Sequence, residues 1–136
     1  MAVVFAYGTL MFPRVWGEVL KGSAAKPLSA RITGFARFRI RGEIYPGLAR
    51  QSSAQTDGVL YRPVGASELA ILDGFEGSDY QRITVLAMPT DEPCAAPIKA
   101  YAYLYLRSGK LETNLWHPEH FRRNDLDDFI NAEGLS

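Results

Sequence analysis

The first apolar run of the chain, Val3-Val4-Phe5-Ala6, does not alternate with polar residues. A short run of this kind is the pattern of a strand covered on both faces. It constrains the fold more than any other stretch, because the rest of the chain must supply a layer on each side. The run stops at Tyr7-Gly8-Thr9-Leu10, with a glycine where the chain must turn. Such a stop is either an ordinary strand exit or a place where backbone N–H groups are left to hold a ligand. The 136 residues, 47% of them hydrophobic, suit one domain, read here as residues 1–136, with a real core.

Downstream, short helical patterns interrupt runs of strand. Pro13 fits the first turn of a helix in which Val15, Trp16, Val19 and Leu20 share a side and Gly22 is the stop. A strand is expected from about Ser29 to Arg41, where Phe38 and Ile40 alternate with Arg37, Arg39 and Arg41. The stretch YPGLAR, Tyr45 to Arg50, reads as a turn or loop on its Pro-Gly pair. Asp57-Gly58 leads into a strand, Val59-Leu60-Tyr61, that Pro63 should end. Ser67 is placed to cap a second helix through Leu69, Ile71 and Leu72, with Glu68 in its first turn. Strands are expected again over residues 80–88 and 98–106. In the latter, Tyr101, Tyr103 and Tyr105 share one face. A polar helix is expected from Pro118 to about Ile130. Regular βαβ alternation is absent, so the fold class is α+β, with a mostly antiparallel or mixed, barrel-like sheet and helices against it.

Charge and composition remove several function classes. Fifteen Lys and Arg oppose fifteen Asp and Glu, which leaves no electrostatic footprint for nucleic acid or an anionic membrane. No apolar stretch approaches the roughly 18 residues of a membrane span, and no basic region precedes Val3 as a signal peptide would require. Cys94, between Pro93 and Ala95, is the only cysteine. No internal disulfide can form, and a reducing, cytoplasmic location is expected. No sequence feature bears on oligomeric state.

Few residues are left that could carry chemistry. His117 and His120, the only histidines, flank Glu119 in HPEH. Pro118 breaks the helical spacing of metal-binding pairs and no cysteine cluster completes a site, so the stretch reads as a surface helix start and no metal is expected. No G-x-S-x-G elbow occurs, and YGTL lacks the lysine and further glycines of a phosphate loop. Thr9 and Cys94 read as structural. The carboxylate in LDGFEGSDYQR is different. If the second helix continues to Glu76, this residue is i+4 from Leu72 and i+7 from Leu69, on the face that docks the helix. A carboxylate there is costly unless paired or neutral, and burial would lift its pKa toward the range of a general base. If instead the helix ends at Gly74, Glu76 points to water.

Three separated stretches, VFAYGTL, DGVLY and LDGFEGSDYQR, together resemble the gamma-glutamylcyclotransferase-like superfamily. The nearest branch is that of the avirulence-induced-gene-like proteins, close to the gamma-glutamylamine cyclotransferases. The resemblance runs in order and spacing from Val3 to about Leu106 and takes in YPGL and AYLY. It implies a small mixed β-barrel with flanking helices and a cavity at its mouth. It implies an enzyme of acyltransferase or cyclising-lyase type. The α-amine of a small-molecule gamma-glutamyl substrate attacks its own γ-carbonyl and releases 5-oxoproline with an amine or amino acid. By resemblance Glu76 is the catalytic acid/base, Tyr7-Gly8-Thr9-Leu10 is the substrate loop, and Tyr103 is a pocket residue. Neither metal nor redox cofactor is implied. Gly8 is expected to bring the backbone close and take an unusual φ/ψ. After YGTL the chain has Met11-Phe12-Pro13, unlike the basic, glycine-containing continuation of the gamma-glutamylamine cyclotransferases, and the leaving group stays open. A non-enzymatic small-molecule-binding or interaction module on the same barrel is the alternative. An inward Glu76 is expected for the enzyme; a Glu76 that is exposed, or salt-bridged to Arg82, is expected for the module.

Overall fold

A computed structural model describes residues 1–92 and 94–132. The strands are β1 (Ala2–Ala6), β2 (Lys26–Ile40), β3 (Pro46–Val64), β4 (Tyr80–Pro89), β5 (Ile98–Tyr105) and β6 (Leu111–Leu115). The helices are α1 (Pro13–Val19), α2 (Ala66–Glu76), α3 (Pro118–Asn124) and α4 (Leu126–Ala132), and a 3-10 turn spans Thr9–Met11. Five strands hydrogen-bond in the order β3-β1-β5-β4-β2, and β2 pairs back with β3, which closes the barrel; β6 adds to β2. The β1–β5 pair is parallel and the others are antiparallel.

The unalternating first run does what its pattern requires. Val4 and Ala6 belong to a core shared with Trp16 of α1, Leu72 of α2, Phe121 of α3 and Phe129 of α4. Phe5 belongs to a second core with Ala30, Leu60, Ala87 and Ala102, one from each of the other four barrel strands. The barrel interior is thus filled by side chains, with alanines of three strands making room for the Phe5 ring and larger aliphatic residues such as Ile32 and Leu48. Helix α1 begins with Pro13 at its first turn, as its sequence indicates.

Several expectations are corrected. YPGLAR is not a loop. Pro46 to Arg50 open β3 and pair with β2, Arg39 opposite Pro46 and Phe38 opposite Gly47. Proline is tolerated as the first residue of the strand, and Gly47 is required because a Cβ there would lie 2.7 Å from the Tyr105 ring. Pro63 does not end β3, which runs to Val64. It falls where the β1–β3 register shifts between Ala2/Val64 and Val4/Tyr61, a bulge being a place where a missing ladder donor costs little. Ser67 is not the cap of α2. Gly65 is, and the Glu68 carboxylate accepts the Gly65 N–H at 3.0 Å. The C-terminal helix is two helices separated by Asp125, and it is not simply polar, since Phe121, Leu126, Phe129 and Ile130 are buried. Among the described residues no helix is long and apolar enough to cross a membrane.

Candidate active site

Helix α2 reaches Glu76 before the chain turns at Gly77, whose φ of 82° suits glycine. Leu72 is fully buried, and Leu69 and Phe75 pack on the helical core. This docking brings Glu76 inward to a cavity of about 290 Å³. Tyr7, Gly8, Thr9, Leu10 and Tyr103 line the same cavity, so all six candidate residues are together. Tyr45, Pro46, Phe75, Tyr80 and Phe129 complete most of its wall.

Among the described residues no group donates a hydrogen bond to the Glu76 carboxyl or forms an ion pair with it. Arg82 turns to Asp73 instead, at 3.7 Å, and lies over the Tyr101 ring. The residue is half-buried, and its remaining surface faces the cavity. Burial pushes its pKa up to about 8. The C-terminal end of α2 works in the same direction, because the aligned peptide dipoles disfavour negative charge there. The described lining contains no lysine, arginine or histidine to offset this.

The Tyr7–Leu10 loop is held from several sides. Arg37 donates to the Tyr7 carbonyl at 2.8 Å and to the Asp57 carbonyl at 2.6 Å. Tyr61, stacked on Trp16 with ring centroids 3.8 Å apart, donates to the Met11 carbonyl at 3.1 Å. The Tyr7 hydroxyl donates to the Tyr103 carbonyl at 2.6 Å and ties the loop to β5. Beyond the turn, Met11 N–H bonds to the Gly8 carbonyl. The N–H groups of Thr9 and Leu10 begin the 3-10 turn and have no acceptor within it. Gly8 has φ −120° and ψ −135°, neither helical nor extended, as expected of it. It also brings the backbone close, since a Cβ would sit 3.0 Å from the Pro46 ring.

Of the three tyrosines on one face of β5, only Tyr103 lines the cavity. Tyr105 packs over Gly47 and edge-on to Tyr80 at 5.2 Å, and Tyr101 lies under Arg82. Sequence reasoning missed several residues of the site. The alternation with Phe38 and Ile40 says nothing of a ligand role for Arg37, yet it bonds to the loop at the Tyr7 carbonyl, and burial lowers its pKa to about 10. Tyr80 and Asp73 sit in the same short motif as Glu76 and could have been flagged by that proximity. Phe129 belongs to a helix with no motif at all. Elsewhere, Glu119 of the HPEH stretch is tied to Arg122 and Arg123, and the described residues hold no cluster of three metal-ligating side chains.

Residues 4–123 match the family described as gamma-glutamyl cyclotransferase, AIG2-like. AIG2-like protein C of Arabidopsis thaliana is 32% identical over 132 residues, which covers 95% of this chain and 74% of that protein. A solution structure from Arabidopsis thaliana superposes with a TM-score of 0.72 at 27% identity, covering 97% of this chain and 87% of the other. A structure named gamma-glutamyl cyclotransferase has a TM-score of 0.63 at 18% identity, over 98% of this chain and 85% of the other, and shares the fold.

Proposed function

The chain belongs to the gamma-glutamyl cyclotransferase, AIG2-like family, and from that membership we propose that it is a cyclotransferase converting a gamma-glutamyl compound to 5-oxoproline and a free amine or amino acid. The observation that carries this reading is a carboxyl, Glu76, unpartnered among the described residues and in one cavity with the Tyr7–Leu10 loop.

The chemistry follows from these groups. A free α-amine has a pKa of roughly 8 and is mostly protonated near neutral pH. It cannot attack until a base removes a proton, and Glu76, lifted to about 8 by burial, is matched to it. The amine nitrogen then bonds to the γ-carbon, and the carbonyl oxygen becomes an oxyanion. As the amide C–N bond breaks, Glu76 returns its proton to the departing nitrogen, and the second proton of the ring nitrogen passes to the released amine or to solvent. Ring closure occurs within one molecule, so the enzyme's main task is to hold a bent conformer. The Gly8 to Leu10 N–H groups would receive the oxyanion and the α-carboxylate. Their backbone is fixed by Arg37, Tyr61 and Tyr7, so the donors need no reorganisation as charge develops. The reaction requires no redox cofactor, and a reducing, cytoplasmic setting suits a chain whose single cysteine is Cys94.

The test is a panel of gamma-glutamyl amides and gamma-glutamyl amino acids assayed for 5-oxoproline, with Glu76→Gln as control. At least one compound should be turned over, and the variant should lose about 10²- to 10⁴-fold. Equal turnover by both proteins removes Glu76 from the mechanism. No turnover across the panel, with ligand binding retained, makes the barrel a binding module.

A further inference from the structure

Three tyrosines line the cavity with Glu76, and the hydroxyl of each has given away its only proton. Tyr7 donates to the Tyr103 carbonyl at 2.6 Å, Tyr80 to the Pro46 carbonyl at 2.8 Å, and Tyr103 to Asp73 Oδ1 at 2.7 Å. Carbonyl and carboxylate oxygens only accept, so the direction of all three bonds is fixed by chemistry. Arg82 lies 3.7 Å from the other Asp73 oxygen. Tyr80 and Tyr103 therefore offer the cavity lone pairs and nothing else. This end of the cavity is rich in acceptors, while the loop end, where the Thr9 and Leu10 N–H groups have no acceptor within the 3-10 turn, supplies donors. A ligand that fits both ends carries a cation at one and an anion at the other.

Tyr103 is the acceptor whose direction depends on a side chain. Its ring is buried between strand and helix, and it lines the cavity that also holds Glu76. Asp73 is one helical turn before Glu76 on α2 and outside the cavity lining. We propose that Asp73 is a positioning residue for the substrate's α-ammonium: by holding the Tyr103 proton on its carboxylate, it leaves the Tyr103 lone pairs beside Glu76 to accept an ammonium N–H. This rests on the cyclotransferase reading for the identity of the cation. It adds a reason why Glu76 receives no hydrogen bond from its tyrosine neighbours: their protons are committed elsewhere.

The test compares two probes that differ only in the α-amine, N5-methylglutamine and its desamino analogue N-methylglutaramic acid. Affinities are read by NMR titration, and any 5-oxoproline formed in the same tube is measured. Wild type should prefer the amino compound about tenfold or more, the worth of one hydrogen bond to a charged group. Asp73→Asn, whose amide oxygen still accepts from Tyr103, should keep that preference. Asp73→Leu should lose most of it while holding the desamino compound as tightly as before. Tyr103→Phe should lose it too, and the double variant should lose no more than either single one. A purely structural role would weaken both probes alike. That result, an intact preference in Asp73→Leu, an equal loss in Asp73→Asn, or a wild type without preference would each overturn the proposal. A preference that behaves as expected, with no 5-oxoproline from this or any gamma-glutamyl compound, overturns the cyclotransferase reading and leaves the role of Asp73 in binding intact.

Discussion

Glu76→Gln should change how stability depends on pH, and the size of the change follows from the burial of the carboxyl. In the folded chain Glu76 titrates at about 8 rather than 4.5; in the unfolded chain it should return to roughly 4.3. Between these values the folded protein keeps a proton that the unfolded chain has released. The associated stability is fully present below the unfolded value and is lost as pH rises through about 8. A gap of about 3.5 pH units at about 1.4 kcal/mol each sets a ceiling of about 5 kcal/mol. The surface that Glu76 keeps open to the cavity lowers this to on the order of 2–4 kcal/mol. Glutamine is neutral throughout and escapes the loss. All other titrating groups are common to both proteins and drop out of the difference. Thermal melts followed by circular dichroism from pH 5 to pH 9 should show the variant gaining on wild type by on the order of 10 °C. A difference in Tm that is constant across this range, or that shrinks as pH rises, would refute a desolvated Glu76.

Three further outcomes are expected. Productive complexes need ionised Glu76 and a protonated amine, so kcat/KM should rise about tenfold per pH unit to about 8 and fall above the amine's value of roughly 8; an ordinary glutamate would instead give a flat optimum centred near pH 6. Arg37→Met removes the donor to the Tyr7 and Asp57 carbonyls, and should cost about 1–3 kcal/mol in denaturant unfolding and raise KM more than it lowers kcat. Gly58→Ala would place a Cβ 2.4 Å from the Ala6 carbonyl oxygen and 2.6 Å from the Phe5 ring, so β1 must shift; a loss of at least about 2 kcal/mol is expected, and an unchanged melting curve would contradict the β1–β3 packing.

The sequence made the site more legible than the strands around it. An inward Glu76 is one of two readings that the shared face of Leu69, Leu72 and Glu76 allows; two nearby glycines leave the helix end open, and the helix in fact runs to Glu76. The Val3–Ala6 strand could be found because a run covered on both faces cannot alternate. YPGLAR misled because proline and glycine mark turns only where local backbone preference decides. Here a distant ring decides, since Tyr105 leaves room for nothing larger than Gly47. Arg37 misled for a related reason: an alternating pattern says which face a side chain takes, not that a loop from another strand will cover that face. The acceptor character of the tyrosine wall was beyond reach, because it depends on where three protons go. Those destinations, a Tyr103 carbonyl, a Pro46 carbonyl and the Asp73 carboxylate, come from three different parts of the chain.

Product analysis in ¹⁸O-enriched water tests the central claim most directly. Wild type is incubated with the gamma-glutamyl compound it turns over fastest, and both products are identified by mass spectrometry. Cyclisation through Glu76 predicts 5-oxoproline and the free amine or amino acid in equal amounts, no ¹⁸O in the 5-oxoproline, and a rate about 10²- to 10⁴-fold lower for Glu76→Gln. Glutamate carrying one ¹⁸O atom would mean that water, not the substrate's own amine, attacks the γ-carbonyl, and an undiminished rate in Glu76→Gln would mean that the chemistry lies elsewhere.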